Sequence, residues 1–364
     1  MEQNKSVLPN AGRQFELDFA KFIAIVCMIL VHCYDYSSLY LDSLDAPAAG
    51  SPSSPWGLLI EFLGAQPAAP VFMFCMGIGL VYTRHNTAAE FARRGLKLLL
   101  TGYLLNLYRT AFVMGGVLSG ALGDMSAGPL IAAFALCVDI LPFAGLAFLF
   151  FALMKRLCIS HFWATLIVLA LLIIAPLLPV VGGGKAWYSY IVGLLWYQSS
   201  FTSFPLMQWL PFPMAGVLFG LQLKKATDKG LFYLRSLAAG AFVFGLTTLL
   251  AVQQGIDLRT FFTSDYFDMN VLQTAWALGI VLLLLPTYYF ITKKLPDGRL
   301  RELATFCSRN INKIYLWQWI LITPIALLGF AAMPIDAYWK LFLEVAIVFV
   351  ACLVIVKKRQ TGHK

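Results

Sequence analysis

Charged side chains are scarce in this sequence: Asp, Glu, Lys and Arg make up 12% of the 364 residues, whereas hydrophobic residues make up 60%. Soluble domains carry about a quarter charged residues and a roughly even apolar share. The composition therefore excludes an ordinary soluble domain. It predicts an all-α polytopic membrane protein whose surroundings are the lipid bilayer.

The sequence also lacks the cysteine spacing of metal sites and disulfide frameworks. Its seven cysteines show no C-x-x-C pattern and fall mostly in apolar runs, so we expect small buried hydrophobes and no metal. No small-residue cleavage pattern follows the first apolar run, which predicts a retained anchor instead of a cleaved signal peptide. No internal repeat is evident, in contrast to many inverted-repeat transporters.

Long apolar runs, in contrast, recur along the chain and approach the roughly 17 to 25 residues that a helix needs to cross a bilayer. They cover residues 15–38, 68–83, 96–116, 130–153, 161–181, 204–223, 230–252, 270–292, 312–330 and 337–356. We predict ten transmembrane helices in a single domain over residues 15–356, between tails at 1–14 and 357–364. Residues 187–196 are either an eleventh short or re-entrant segment or part of a loop.

The net charge of +9 is explained by where the basic residues lie. Most fall at the chain ends and in alternate loops, whereas the intervening loops, such as Asp42–Pro55, hold only Lys185, Arg259 and Lys340. This bias places both termini in the cytoplasm. It predicts an integral protein of the bacterial inner (cytoplasmic) membrane without a nucleic-acid partner, and it leaves a homodimer open.

One histidine out of four, His32, lies inside an apolar run, on the same helical face as Lys21. Eleven helical positions make about three turns and separate the two residues by about 16 Å. Burying an ionisable group in a bilayer costs on the order of 2.5 to 3.5 kcal/mol, so such groups usually face a protein interior or a water-filled path. A functional imidazole is favoured over a hydrogen-bonded structural one. Asp18, Lys21 and Asp35 fit equally well a role as markers of the membrane interfaces, the first two on the cytoplasmic side and Asp35 on the outer side.

The residues around this pair resemble a known family. Residues 17–21 (LDFAK), followed after ten residues by His32, resemble the first-helix signature of the membrane acyltransferase superfamily, which includes the acyltransferase type 3 family and the heparan-α-glucosaminide N-acetyltransferase catalytic domain. Three later segments agree in order: residues 70–77 (PVFMFCMG), 91–97 (FARRGLK) and 314–319 (IYLWQW). The sequence departs from the common pattern at Lys21, Met76 and Gln318, where arginine, serine and histidine are more frequent.

The resemblance implies acyl transfer from cytosolic acyl-CoA, expected to be acetyl-CoA, to a hydroxyl or amine of an acceptor on the outer side. The acceptor is expected to be a sugar or glycan. Lys21, Arg93, Arg94 and Lys97 would bind the coenzyme phosphates through charge-assisted bonds. Arg93 and Arg94 fit equally well the ordinary excess of basic residues on the cytoplasmic side of a membrane protein. A basic stretch lies before the ninth predicted helix, at Arg309–Lys313. It either extends the coenzyme site or only keeps the start of that helix in contact with water.

His32 would act as a general base on the acceptor or carry the acyl group as a covalent intermediate. Asp35, Asp139 and Asn106 are candidate partners for its imidazole. Arg109 and Asp139 both fall in predicted outer halves of spans, where a charge needs a partner. Arg109 either stabilises an oxyanion or forms a purely structural pair with a carboxylate. Two more side chains, Gln318 and Trp317, are expected to line the reaction cavity.

Two further functions fit the composition. A proton-coupled secondary transporter or flippase would also use a titratable His32 with buried Arg109 and Asp139. A scaffold that has lost activity and acts as a partner or sensor is the third reading. The ordered motifs favour the enzyme.

Overall fold

A computed structural model describes residues 9–37, 39, 54–118, 127–184, 187–199, 202–331 and 335–361. The predicted outer loop Asp42–Pro55 lies outside the described residues up to position 53, as do Lys185 and the ends of both tails.

All regular secondary structure in the described residues is helical, with short 3-10 turns and without a strand. The helices are α1 (Phe15–Asp35), α2 (Pro55–Ala65), α3 (Ala69–Tyr82), α4 (Ala88–Leu118), α5 (Ala127–Leu136), α6 (Ile140–Arg156), α7 (His161–Ile174), α8 (Trp187–Val192), α9 (Leu206–Trp209), α10 (Pro211–Lys225), α11 (Lys229–Gln253), α12 (Val271–Lys294), α13 (Arg299–Arg309), α14 (Ile311–Ala331) and α15 (Tyr338–Thr361).

Seven helical stretches in the described part of the chain are long and apolar enough to cross a membrane. They are Phe15–Asp35, Pro55–Tyr82, Phe134–Arg156, Leu206–Lys225, Lys229–Gln253, Val271–Lys294 and Tyr338–Thr361. The protein is therefore an all-α polytopic membrane protein, as predicted. Counting α4, α7 and α14 as well would give ten passes; that count and the cytoplasmic termini stay predictions.

Two segments differ from their sequence-based description. The second predicted span begins at residue 68, but a helix already begins at Pro55, where the Ser54 hydroxyl caps it by accepting from the Gly57 N–H at 2.9 Å. Within residues 187–196, α8 is six residues long, far too short to cross a core about 30 Å thick. This segment is part of a loop with one helical turn and a half.

Helix α1 runs through the middle of the bundle and packs against α2, α3 and α12 to α15. Its Ala20 and Ala24 are fully buried, and their small side chains let neighbouring backbones come close. The end of the bundle at which α1 begins collects basic side chains and is called the basic face. There, Lys229 Nζ lies 2.7 Å from Glu16 and the Arg301 guanidinium lies 4.2 Å from the Phe15 ring centre. The opposite end, roofed by residues 253–270, is called the loop face.

Helices α3 and α10 cross at two glycines next to α1. A methyl group at Gly77 would overlap the Pro213 carbonyl oxygen, and one at Gly216 would overlap that of Phe74. Small residues allow this close backbone approach inside a membrane. The glycine that ends the 70–77 motif is therefore explained by packing.

We expect Gly77→Ala to destabilise the protein by about 1 to 3 kcal/mol, because the backbone carbonyl on α10 cannot move aside without shifting its helix. Thermal unfolding of the purified protein in detergent measures this. Gly79→Ala is the matched control on the same helix, since a methyl group there meets nothing within 4 Å. Equal melting temperatures for the two variants would contradict the packing explanation.

Candidate functional site

Three cavities follow α1 from one face to the other. The basic-face cavity, about 210 Å³, is lined by Asp18 and Lys21; the middle cavity, about 90 Å³, shares Lys21; and the loop-face cavity, about 490 Å³, is lined by His32 and Asp35. The last two cavities lie at successive levels along α6, because Ile140 lines the larger and Ala144, one turn further along the same face, lines the smaller. One helix thus carries the predicted donor-binding lysine and the predicted catalytic histidine into successive cavities.

The His32 imidazole is held by the fourteenth helix. Its Nδ1 lies 3.2 Å from Gln318 Nε2, and its ring stacks on that of Trp319 with centres 4.2 Å apart. The side chain is half-buried, so it borders the loop-face cavity instead of being sealed among apolar groups. The Nε2 atom makes no hydrogen bond to any described residue. That nitrogen is therefore free to meet a ligand.

Gln318 is the hydrogen-bond partner of the His32 imidazole, a role for which the sequence offers three other side chains. Asp35, Asp139 and Asn106 make no hydrogen bond to His32 within the described residues, so their role in fixing the imidazole stays a prediction. Asp35 lies one turn further along α1 and lines the same cavity. Gln318 is fully buried, and the rigid α14 fixes its amide against the imidazole.

The buried Arg109 does not face lipid. Its Nη1 lies 3.0 Å from Asp139 Oδ2, and its guanidinium stacks on the Trp319 ring at 3.8 Å. Arg109 is 8% exposed, and its Nε is buried without a partner in the described structure. The carboxylate pairing that the sequence offers as one possibility is thus present, and the guanidinium keeps its Nε–H without a partner in the described structure.

Asp139 is held in place by two further hydrogen bonds. It caps α6, where its Oδ1 accepts the Ile140 N–H at 2.7 Å, and its Oδ2 accepts the Tyr315 hydroxyl at 3.0 Å. The Asn106 amide donates to the Cys137 carbonyl at 2.8 Å, which secures the segment directly before the cap. Asn106 therefore supports the cavity wall through Cys137 and is not among the residues that line the cavity.

Trp317, a predicted substrate-binding residue, lies elsewhere. Its ring packs under the Arg359 guanidinium at 4.6 Å, and it does not border the loop-face cavity. Helical geometry explains the difference, because residues two positions apart on a helix point about 200° apart. Trp319 therefore faces the cavity and Trp317 faces α15.

Sequence reasoning missed three cavity residues: Glu61, Tyr315 and Trp319. Tyr315 and Trp319 are four positions apart in the quoted 314–319 motif, so helical periodicity could have found them. Glu61 lies on α2, where no helix is predicted. The feature that could have marked it as a site residue is its charge within an apolar stretch. The roof also carries Asp268, whose pKa is raised above its usual value by burial although the Gln208 amide donates to it at 2.6 Å.

At the basic end, the structure brings together two of the four predicted coenzyme-binding residues. Lys21 and Arg94 both line the middle cavity, with Asn312 opposite, and the Arg94 guanidinium lies 4.5 Å from the Phe148 ring centre. Arg93, Arg94 and Lys97 are all exposed, but Arg93 and Lys97 do not line this cavity. Successive helical residues point about 100° apart, so the doubled arginines face different surroundings.

The aspartate of the 17–21 motif holds three segments together. Asp18 accepts hydrogen bonds from Arg13 Nε and Nη2, at 2.5 and 2.9 Å, and from the Ser308 hydroxyl at 2.7 Å. Arg309, next to Ser308, lines the basic-face cavity with Lys21. Asp18 thus places the end of α13 and a second basic side chain, Arg309, beside Lys21.

Comparison with family models assigns residues 14–356 to the acyltransferase domain of the acyltransferase type 3 family. Comparison with curated proteins gives no match. The matched region holds His32, Arg109, Asp139, Lys21 and Arg94, and it spans nearly the whole chain. The chain belongs to the acyltransferase type 3 family and is a membrane acyltransferase.

Proposed function

We propose that this enzyme transfers an acyl group, in the first instance acetyl, from acyl-CoA at the basic face to a hydroxyl or amine of an acceptor in the loop-face cavity. The observation that carries the proposal is that α1 delivers Lys21 and His32 into successive cavities. The positive-inside bias supports a cytoplasmic basic face, so the acceptor would arrive from the other side of a bacterial inner membrane.

The shape of the donor suits this arrangement. Acyl-CoA has phosphates at one end and a thioester at the other, and the roughly 16 Å from Lys21 to His32 along the helix is a distance that its extended arm spans. Lys21, Arg94 and Arg309 would hold the phosphates through charge-assisted hydrogen bonds. The reactive carbonyl would then reach His32.

His32 acts in this proposal as general base and then as general acid. Its Nδ1–H donates to Gln318 Oε1, since the amide can turn by 180° and its oxygen otherwise has no partner in the described structure. The lone pair on Nε2 accepts the acceptor's O–H or N–H proton while the oxygen or nitrogen bonds to the thioester carbon. The C–S bond breaks, and the coenzyme A thiolate takes the proton from the imidazolium.

Arg109 is suited to the charge that develops in this step. The tetrahedral intermediate places negative charge on the former carbonyl oxygen, and a preorganised donor at that point lowers the barrier. Arg109 and Trp319 both line the cavity, and the Nε–H of the first and the Nε1–H of the second are buried donors without a partner in the described structure. Arg109 would stabilise the oxyanion while Asp139 holds the guanidinium in place.

The test is release of free coenzyme A from acetyl-CoA by the purified protein, with candidate sugars and amines as acceptors. We expect Lys21→Gln and Arg94→Gln each to raise the KM for acetyl-CoA about tenfold, because each removes one charge-assisted contact. Arg93→Gln is the matched control, since this neighbouring arginine lies outside the middle cavity. A KM that rises equally in the Arg93 variant would contradict the donor site, and substrate flux without an acyl donor would favour a transporter.

A further inference from the structure

Negative charge predominates in the loop-face cavity. Three carboxyl side chains line it, Asp35, Glu61 and Asp139, against the single guanidinium of Arg109. Asp139 uses both of its oxygens on Arg109, Tyr315 and the α6 backbone. The excess acid is therefore carried by Asp35 and Glu61, on α1 and α2.

These two carboxyls have no hydrogen bond or ion pair with any described residue. They interact electrostatically with each other, and Asp35 also with Arg109. Two adjacent acids at this depth repel each other and lack the solvation that water gives at the surface. Such a pair is costly while both carboxyls are ionised, and either protonation or a bound cation removes this cost.

The remaining walls suit a cation equally well. The rings of Tyr197, Phe262, Tyr266, Phe267 and Trp319 line the same cavity. Aromatic faces together with carboxylates bind ammonium groups through cation–π and charge attraction. A neutral polyol would gain hydrogen bonds from the acids but would leave their charge unbalanced.

The loop residues that roof the cavity add to its negative electrostatic potential. Residues 257–268 hold Asp257, Asp265 and Asp268 against one basic residue, Arg259, which is paired with Asp257 at 2.6 Å. A cavity lined by acids with further acids around it draws cations toward it. The basic groups, in contrast, collect at the opposite face.

We propose that the acceptor carries a protonated amino group, which Asp35 and Glu61 bind while the atom to be acylated lies at His32. The substrate class is an ammonium-bearing acceptor, such as an amino sugar or an amino alcohol. This inference rests on the proposed function for the position of the acceptor. Glu61 is its specificity residue, because it belongs neither to the His32 contacts nor to the Arg109 pair.

The experiment measures binding to the full-length purified protein without any acyl donor. Isothermal titration compares glucosamine with glucose, and ethanolamine with ethylene glycol, so that each pair differs in the amino group alone. We expect each amine to bind at least about tenfold more tightly than its neutral partner, the equivalent of one charge contact worth about 1.4 kcal/mol. Glu61→Gln and Asp35→Asn should each reduce this preference about tenfold, whereas Glu61→Asp should retain it.

Asp336→Asn is the control, because this exposed aspartate on the loop side is paired with Lys340 and lies outside the cavity. Amines that bind no more tightly than their neutral partners overturn the inference, and so does a preference that survives in both Glu61→Gln and Asp35→Asn. Because no donor is present, these outcomes are separate from the acyltransferase assay. His32-dependent coenzyme A release with neutral acceptors alone would retain the proposed function and end this assignment.

Discussion

His32→Ala is expected to lower the rate of coenzyme A release by about 10²- to 10⁴-fold, the usual contribution of a positioned general base. Among the described residues, the His32 imidazole is the one titratable base that both borders the loop-face cavity and is held by a buried amide, Gln318. Its removal leaves the acceptor proton without a base. Initial rates at saturating acetyl-CoA measure the effect, and an unchanged KM for acetyl-CoA would show that the donor site is intact.

Two further variants are controls, one for the loss of any histidine and one for the loss of packing around His32. His161→Ala removes an exposed histidine at the start of α7 and should leave the rate unchanged. His32→Gln keeps a polar side chain in contact range of Gln318 and Trp319, and therefore keeps the packing while losing the base. Turnover at the wild-type rate in a folded His32→Gln protein would remove His32 from the mechanism.

The first helix could be predicted well because everything on it follows from local periodicity. Lys21 and His32 share a face by their spacing alone, and the structure places both on cavity walls. The depth of each residue follows from the helical rise. No knowledge of the neighbouring helices is needed to obtain this arrangement.

The partners of that helix could not be predicted in the same way. The rotation of α4 depends on Gly95 and Gly102 fitting against Gly145 and Pro142 of α6. This fit points Arg94, and not Arg93, toward the middle cavity. A tertiary contact thus decides which of two adjacent arginines belongs to the site, and a single sequence does not show it.

Glu61 shows a second limit. Residues 55–65 are short for a span, contain a charge and precede Pro67, so an apolar window does not join them to α3. The structure continues both helices as one apolar stretch from Pro55 to Tyr82. Residues near the break contact the roof: the Tyr266 hydroxyl donates to the Ala65 carbonyl at 2.9 Å. The acidic cavity wall therefore comes from a segment that composition alone leaves as a loop.

Separate and combined changes at the Arg109–Asp139 pair are expected to distinguish a catalytic guanidinium from a structural one. Asp139→Ala should destabilise the protein by about 3 to 5 kcal/mol, because it leaves a buried guanidinium unpaired. The double variant Arg109→Met with Asp139→Asn should regain most of this loss, since the buried charge is gone and asparagine still caps α6. Thermal unfolding in detergent and coenzyme A release are measured on the same samples.

If Arg109 stabilises the oxyanion, the double variant should remain at least about 10²-fold slower than wild type, the effect of losing one such donor, although its fold is restored. The control is Arg259→Met with Asp257→Asn, an exposed pair on the roof at 2.6 Å, which should change neither the melting temperature nor the rate. A stable double variant with wild-type turnover would make the buried pair purely structural. His32 would then carry the chemistry without a charged partner for the oxyanion, and Arg109 would serve only to hold Asp139 and Trp319 around the cavity.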